Sequence, residues 1–124
     1  MTYDYDNNRY NPPAPVLPVT IRIPGSNAKQ VTTDALVDTG ADMVCCPKAF
    51  IDAVGAQPAS TRQVFGVNHA FIDTCYTYFI EFEIAGTKKL VEVVALGQEL
   101  ILGRTLMNEF AIKLNGRSQK LSFE

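Results

Sequence analysis

From Arg62 to Leu96 the chain reads "RQVFGVNHAFIDTCYTYFIEFEIAGTKKLVEVVAL". β-Branched and aromatic side chains dominate this run. They lose rotamer freedom in a helix and fit a pleated, half-buried surface, so the stretch has to build sheet. Gly66-Val67-Asn68-His69 and Ala85-Gly86-Thr87-Lys88 spell out two turns. The spacing predicts strands over 62–66, 70–84 and 88–96, the middle one long enough to bend or bulge.

The flanking segments extend the pattern. "VLPVTIRI" from Val16 alternates, with Val19, Ile21 and Ile23 on one face. "PGSN" then turns the chain into "QVTTDALVD", the partner strand of a hairpin. "CCPKAFIDAVGAQP" holds a short helix, with Pro47 suited to a first turn and Gly55 to an end. "ELILGRTLMNEF" begins as a strand through Leu102 and closes with helical residues. "AIKLNGRSQKLSFE" gives two short strands around Asn-Gly. The fold class expected is mostly β with one or two short helices. Residues 1–15 are polar and then proline-rich, which predicts a flexible arm ahead of a single domain over 16–124.

Size and charge narrow the function classes. A chain of 124 residues suits one compact domain. The formal net charge of −2 gives no basic footprint for nucleic acid. No apolar run is long enough for a membrane-spanning helix, and the N-terminus has no basic start and no apolar h-region. A cytoplasmic protein with no nucleic-acid or membrane partner is expected. Cys45 and Cys46 are adjacent and Cys75 is distant, which suits neither a disulfide framework nor a zinc site.

One motif carries chemistry. In "ALVDTGAD", Asp38 follows three apolar residues that suit an interior strand and precedes Thr39 and Gly40. A carboxylate leaving a strand in this way either accepts backbone N–H groups or takes part in a reaction. "LILGR" at 100–104 repeats the apolar-then-glycine pattern and can cross behind the Asp38 loop to hold it rigid.

"ALVDTGAD" followed by "ILGRTLMNEF" and a short C-terminal strand resembles the retropepsin family, the retroviral-type aspartic proteases and their cellular and bacterial relatives. The resemblance covers residues 17–124 in order of elements and is specific at Leu36–Asp42 and Ile101–Leu106. It implies a closed acid-protease β-barrel that works as a homodimer on a peptide or protein substrate, with no metal and no cofactor. "DTG" occurs once, so the second carboxylate has to come from a second copy.

Site residues follow from the same resemblance. Asp38 is the catalytic carboxylate, Thr39 bonds across the dimer axis, and Gly40 offers its carbonyl to substrate. Asp42 and Arg104 form an acid–arginine pair bracing the loop against the C-terminal helix, and Asp42 touches substrate backbone. Met43, Cys45 and Ile101 line side-chain pockets. Gly66 and Val67, with His69, form the tip of a covering flap. Viral relatives interleave their chain termini in a shared sheet, a role open here to "KLSFE" and the N-terminal arm. An alternative keeps the fold as a dimerisation or peptide-binding module with little or no proteolysis.

Overall fold

The computed structural model describes residues 1–124. In chain order the elements are β1 (Thr2–Asp4), β2 (Val16–Arg22), β3 (Gln30–Val37), β4 (Val44–Cys46) and α1 (Lys48–Val54). They continue with β5 (Ser60–Phe65), β6 (Phe71–Ile84), β7 (Thr87–Ala95), β8 (Ile101–Leu102), α2 (Arg104–Met107), β9 (Ile112–Asn115) and β10 (Lys120–Phe123). The strands expected over 62–66, 70–84 and 88–96 are β5, β6 and β7. No helix is long and apolar enough to cross a membrane.

Seven strands lie in the order β2-β3-β8-β4-β7-β6-β5, and a further β2–β6 pairing closes six of them into a barrel. The length of β6 makes closure possible. Its first half pairs with β5, its second half with β7, and Glu81–Glu83 also pair with β2. The bulge predicted in this long strand falls at Ile72, where the partners of Val64 and Phe65 step from Asp73 to Phe71.

Alternation fills the barrel. Leu17, Val19 and Ile21 from β2 meet Tyr78, Ile80, Phe82 and Ile84 from β6 in one buried cluster. Each such side chain contributes about 1.5–3 kcal/mol relative to exposure. On the outer face Arg22 is buried against the seam, with Glu81 at 2.8 Å and Glu83 at 2.9 Å. Helix α1 starts after Pro47 and ends at Gly55, whose φ of 78° is a left-handed cap. It buries Ile51 and Val54.

The expectation of a flexible arm over residues 1–15 is corrected. Thr2–Asp4 is a strand on β10, and Asp6 bridges Ala14 with both backbone hydrogen bonds made. Asp6 also accepts the Asn8 and Arg9 N–H groups, so its own side chain closes the intervening turn. Tyr3 packs edge-on to Phe123, and the Tyr10 hydroxyl donates to Glu99. Polar, proline-rich composition signalled disorder, but aromatic anchors and local turn bonds hold the segment in place. In a single chain, β1 takes the β10 edge itself, giving the separate sheet β1-β10-β9.

Candidate active site

Asp38 stands one residue beyond β3, where the strand leaves the barrel. The parallel pairing of β3 with β8 sets Leu36 beside Ile101 and Val37 beside Leu102. Backbone bonds then fasten the strand end on both sides. Leu36 N–H donates to Leu100 (3.0 Å), Val37 N–H to Pro15 (3.0 Å) and Asp38 N–H to Leu102 (3.1 Å). Past the strand, the Ala41 N–H donates to the Asp38 carbonyl (3.2 Å), and the Gly40 N–H donates to Asp38 Oδ1 (2.9 Å). The carboxylate is partly exposed and oriented by its own loop.

The segment from Gly103 crosses behind this loop. A Cβ on Gly103 would lie 2.2 Å from the Met43 carbonyl oxygen, so only glycine fits there. The crossing sets the Arg104 N–H on the Ala41 carbonyl (2.9 Å) and the Thr105 N–H on the Asp42 carbonyl (3.0 Å). The Arg104 guanidinium reaches forward, giving Nη1 to the Thr39 carbonyl (2.5 Å) and Nη2 to the Asp42 carboxylate. Its planar fork serves two acceptors at once, which a lysine ammonium cannot do in this geometry. Both partners are solvent-exposed, so the pair orders the loop more than it stabilises the fold.

Asp38, Thr39, Gly40, Asp42, Arg104 and Ile101 thus lie in one hydrogen-bonded unit. Cys45 is the register partner of Ile101 across β4 and β8, which sets these two side by side next to the loop. Met43 lines a shallow cavity of about 220 Å³ with Arg62, Leu90, Val91, Glu92 and Thr105. Arg62 and Glu92 pair across it at 2.8 Å. No motif in the sequence announced this pair. Nor does the sequence signal the Val37–Pro15 bond, because a proline run predicts an arm and not a partner for the end of β3.

Gly66 and Val67 stand apart from this unit. They lie at the tip of the β5–β6 hairpin, where the Gly66 N–H donates to the Ala70 carbonyl (2.7 Å). Val67 is exposed, and Asn68 and His69 take left-handed backbone angles. Phe65 and Phe71 pack edge-to-face below the tip, 5.7 Å between ring centres. Gly66 and Val67 make no hydrogen bond to the Asp38 loop.

The thiols near the site are held protonated. Burial pushes Cys45 above its ordinary value, with Cys75 and the Asp38 carboxylate adding to the effect, and burial pushes Cys46 up to about 12. A nucleophilic cysteine needs the opposite shift.

No protein-family model matches the chain, and no curated protein matches it. Solved structures do. The EIAV protease complexed with the inhibitor HBY-793 superposes with a TM-score of 0.61 at 18% identity, covering 84% of this chain and 91% of that one. The solution structure of Simian Foamy Virus (mac) protease gives 0.51 at 23% identity, over 73% of this chain and 89% of that one. A foamy viral protease–reverse transcriptase in complex with double-stranded DNA gives 0.56 at 19% identity, over 80% of this chain and 16% of that longer one. The barrel closed by β6, with its two short helices, is the retropepsin-like fold of the retroviral and foamy viral proteases.

Proposed function

We propose that the chain is an aspartic endopeptidase that works as a homodimer, with one Asp38 from each copy. The observation that carries the reading is the loop itself. A partly exposed carboxylate sits at a strand end, fixed by Gly40, by Leu102 and by the Arg104 fork, in a fold shared with retroviral proteases. Asp-Thr-Gly occurs once in the chain, so a paired carboxylate has to be supplied by a second copy on a two-fold axis.

Two carboxylates at about 4 Å would repel by roughly 4 kcal/mol at an effective dielectric of 20, so the pair holds one proton between them. This shared-proton state is the established behaviour of aspartic proteases as a class. The ionised Asp38 accepts a proton from a bound water as the water oxygen bonds to the peptide carbonyl carbon. The protonated Asp38 donates to the carbonyl oxygen. A proton then passes to the amide nitrogen as the C–N bond breaks. Thr39 and Gly40 belong to this loop, with the Gly40 carbonyl free for a substrate N–H. Asp42, Met43, Cys45 and Ile101 flank the reacting bond, and Gly66 and Val67 close over it from the hairpin. The apolar character of Met43 and Ile101 favours apolar substrate side chains near the cleaved bond. Activity is greatest at acidic to mildly acidic pH, where the pair keeps its proton.

Digestion of a peptide library across pH, with wild type and Asp38→Asn, tests the reading. The expected result is cleavage by wild type, reduced on the order of a hundredfold or more in Asp38→Asn. Cleavage by Asp38→Asn at the wild-type rate overturns it.

A further inference from the structure

We propose that Tyr10 is a positioning residue for Asp38, acting through Glu99 and the lead into β8, within a strap formed by residues 6–15. The assignment rests on the proteolytic reading above, which gives the strap its part in the reaction of Asp38.

Three hydrogen bonds close a ring at the base of the Asp38 loop. The Tyr10 hydroxyl donates to the Glu99 carboxylate. Leu100, the next residue, gives its carbonyl to the Leu36 N–H (3.0 Å). Val37, the residue after Leu36, gives its N–H to the Pro15 carbonyl (3.0 Å). Five peptide bonds lead from Pro15 back to Tyr10. Asp38 follows Val37 directly, so the ring ends where the carboxylate begins.

Strand β8 needs such a fastening. It is two residues long and is led in by a turn with Gly97 and Gln98 exposed. It pairs with β3 at two positions and with β4 at one, far less than an ordinary strand. Glu99 stands at its entrance and has no side-chain partner other than Tyr10.

The strap is stiff enough to hold that entrance. Asp6 and Ala14 exchange both backbone bonds at its base (2.8 and 3.1 Å). Asp6 also takes Arg9 Nε at 2.7 Å, and the Arg9 guanidinium lies over the Tyr10 ring, 5.6 Å from its centre. Pro12, Pro13 and Pro15 fix φ along the returning limb, so a shift at Tyr10 is passed to Val37 rather than absorbed. Burial, and then the bond to Glu99, pushes the Tyr10 hydroxyl up to about 12. It therefore stays protonated and donates throughout the acidic and neutral range.

Peptide cleavage and amide exchange of full-length wild type, Tyr10→Phe, Glu99→Gln and Asp38→Asn, at one pH where each is folded, test the assignment. Tyr10→Phe is expected to lose roughly tenfold in kcat per folded molecule while KM stays within about threefold, because a slightly misplaced reacting group costs rate more than binding. A bond that only stabilised the fold would leave kcat per folded molecule unchanged. Protection of the Leu36 and Val37 amides should fall about tenfold in Tyr10→Phe, the loss of one hydrogen bond to a charged group. Glu99→Gln keeps an acceptor for the Tyr10 hydroxyl and should stay within about threefold of wild type in both measurements. Wild-type kcat or wild-type protection in Tyr10→Phe overturns the assignment, and so does a Glu99→Gln protein as impaired as Tyr10→Phe. Cleavage by Asp38→Asn at the wild-type rate overturns the aspartic-protease reading instead, and leaves the protection of Leu36 and Val37 as the measure of the strap. Should Tyr10→Phe fail to fold, Glu99→Ala removes the acceptor from a partly exposed position. The same two losses are expected of it, and wild-type values there overturn the assignment.

Discussion

Gly103 rests directly on Met43. A Cβ added to Gly103 would meet the Met43 carbonyl oxygen at 2.2 Å and the Ala41 carbonyl oxygen at 2.9 Å. Both are backbone atoms of the segment following Asp38, so neither can swing aside as a flexible side chain would. Gly103→Ala is therefore expected to push the two crossing segments apart, at about 1–3 kcal/mol of stability. The Arg104 N–H then loses its reach to Ala41, and cleavage falls with it. Urea unfolding and peptide hydrolysis measure the two effects, and a variant unchanged in both contradicts the crossing described here.

Arg104 is expected to separate stability from activity. Its fork joins the Thr39 carbonyl and the Asp42 carboxylate, but the Arg104 and Asp42 side chains are 44% and 84% exposed. An exposed pair contributes no more than about 1 kcal/mol. Arg104→Lys should therefore unfold near the wild-type midpoint while cleaving poorly, because an ammonium cannot span both acceptors. Full activity in Arg104→Lys would show that charge alone suffices.

Most of the barrel was legible in the sequence because its physical causes are local. β-Branched alternation marks β2, β3, β6 and β7, and turn residues separate them. The helix over Lys48–Val54 is punctuated by Pro47 and Gly55. The Asp38 loop was legible for a different reason: Gly103 is needed where two backbones nearly touch, a Cβ on Gly40 would come within 3.1 Å of Asp38 Oδ1, and glycine at such points leaves a readable pattern. The N-terminal segment was not legible. Its hold on the fold comes from Tyr3 on Phe123 and from Tyr10 on Glu99, contacts between residues distant in sequence. The Arg22 cluster was hidden for the same cause, since nothing near Arg22 in sequence announces Glu81 and Glu83 as its partners.

Barrel closure rests partly on that cluster. Arg22 is 6% exposed and bonds Glu81 and Glu83 where β2 meets β6. Removing it leaves two carboxylates side by side without a counter-charge. Because the Glu81 and Glu83 side chains keep some solvent, at 18% and 36% exposure, the cost of Arg22→Ala is set at about 1–3 kcal/mol, below that of a fully buried pair. The double change Glu81→Gln with Glu83→Gln should recover part of the loss. Denaturant midpoints of the three variants check this, and an Arg22→Ala protein as stable as wild type contradicts it.

The hairpin of β5 and β6 is expected to loosen in acid. Arg62 on β5 bonds Glu92 on β7 at 2.8 Å and holds the Glu92 carboxyl below the ordinary value of 4.5. A carboxyl depressed by folding contributes stability that is whole above the unfolded value and is lost as pH falls through the folded value. Amide protection in Ser60–Phe65, taken relative to the intrinsic exchange rate at each pH, should therefore fall as pH drops below about 4.5. Glu92→Gln should show the lowered protection already at neutral pH and lack this part of the acid dependence. An identical acid profile in the two proteins counts against the fastening.

Deletion of the first five residues tests whether the N-terminal strand belongs to the fold. Strand β1 covers one edge of β10, and Tyr3 packs on Phe123 beside the fully buried Leu121. Removing it strips the Tyr5 N–H from the Gln119 carbonyl (2.9 Å) and the Met1 carbonyl from the Phe123 N–H (3.2 Å). It also exposes one face of the C-terminal hairpin. The loss is expected at about 2 kcal/mol, the scale of one aromatic side chain leaving its packing. Tyr3→Ala alone should reproduce most of it, because the backbone bonds released on deletion are remade with water. A truncated chain with an unchanged melting temperature would return residues 1–5 to the status of a loose arm. A truncated chain that melts lower yet cleaves at the wild-type rate would show that β1 steadies the terminal sheet without setting the position of Asp38.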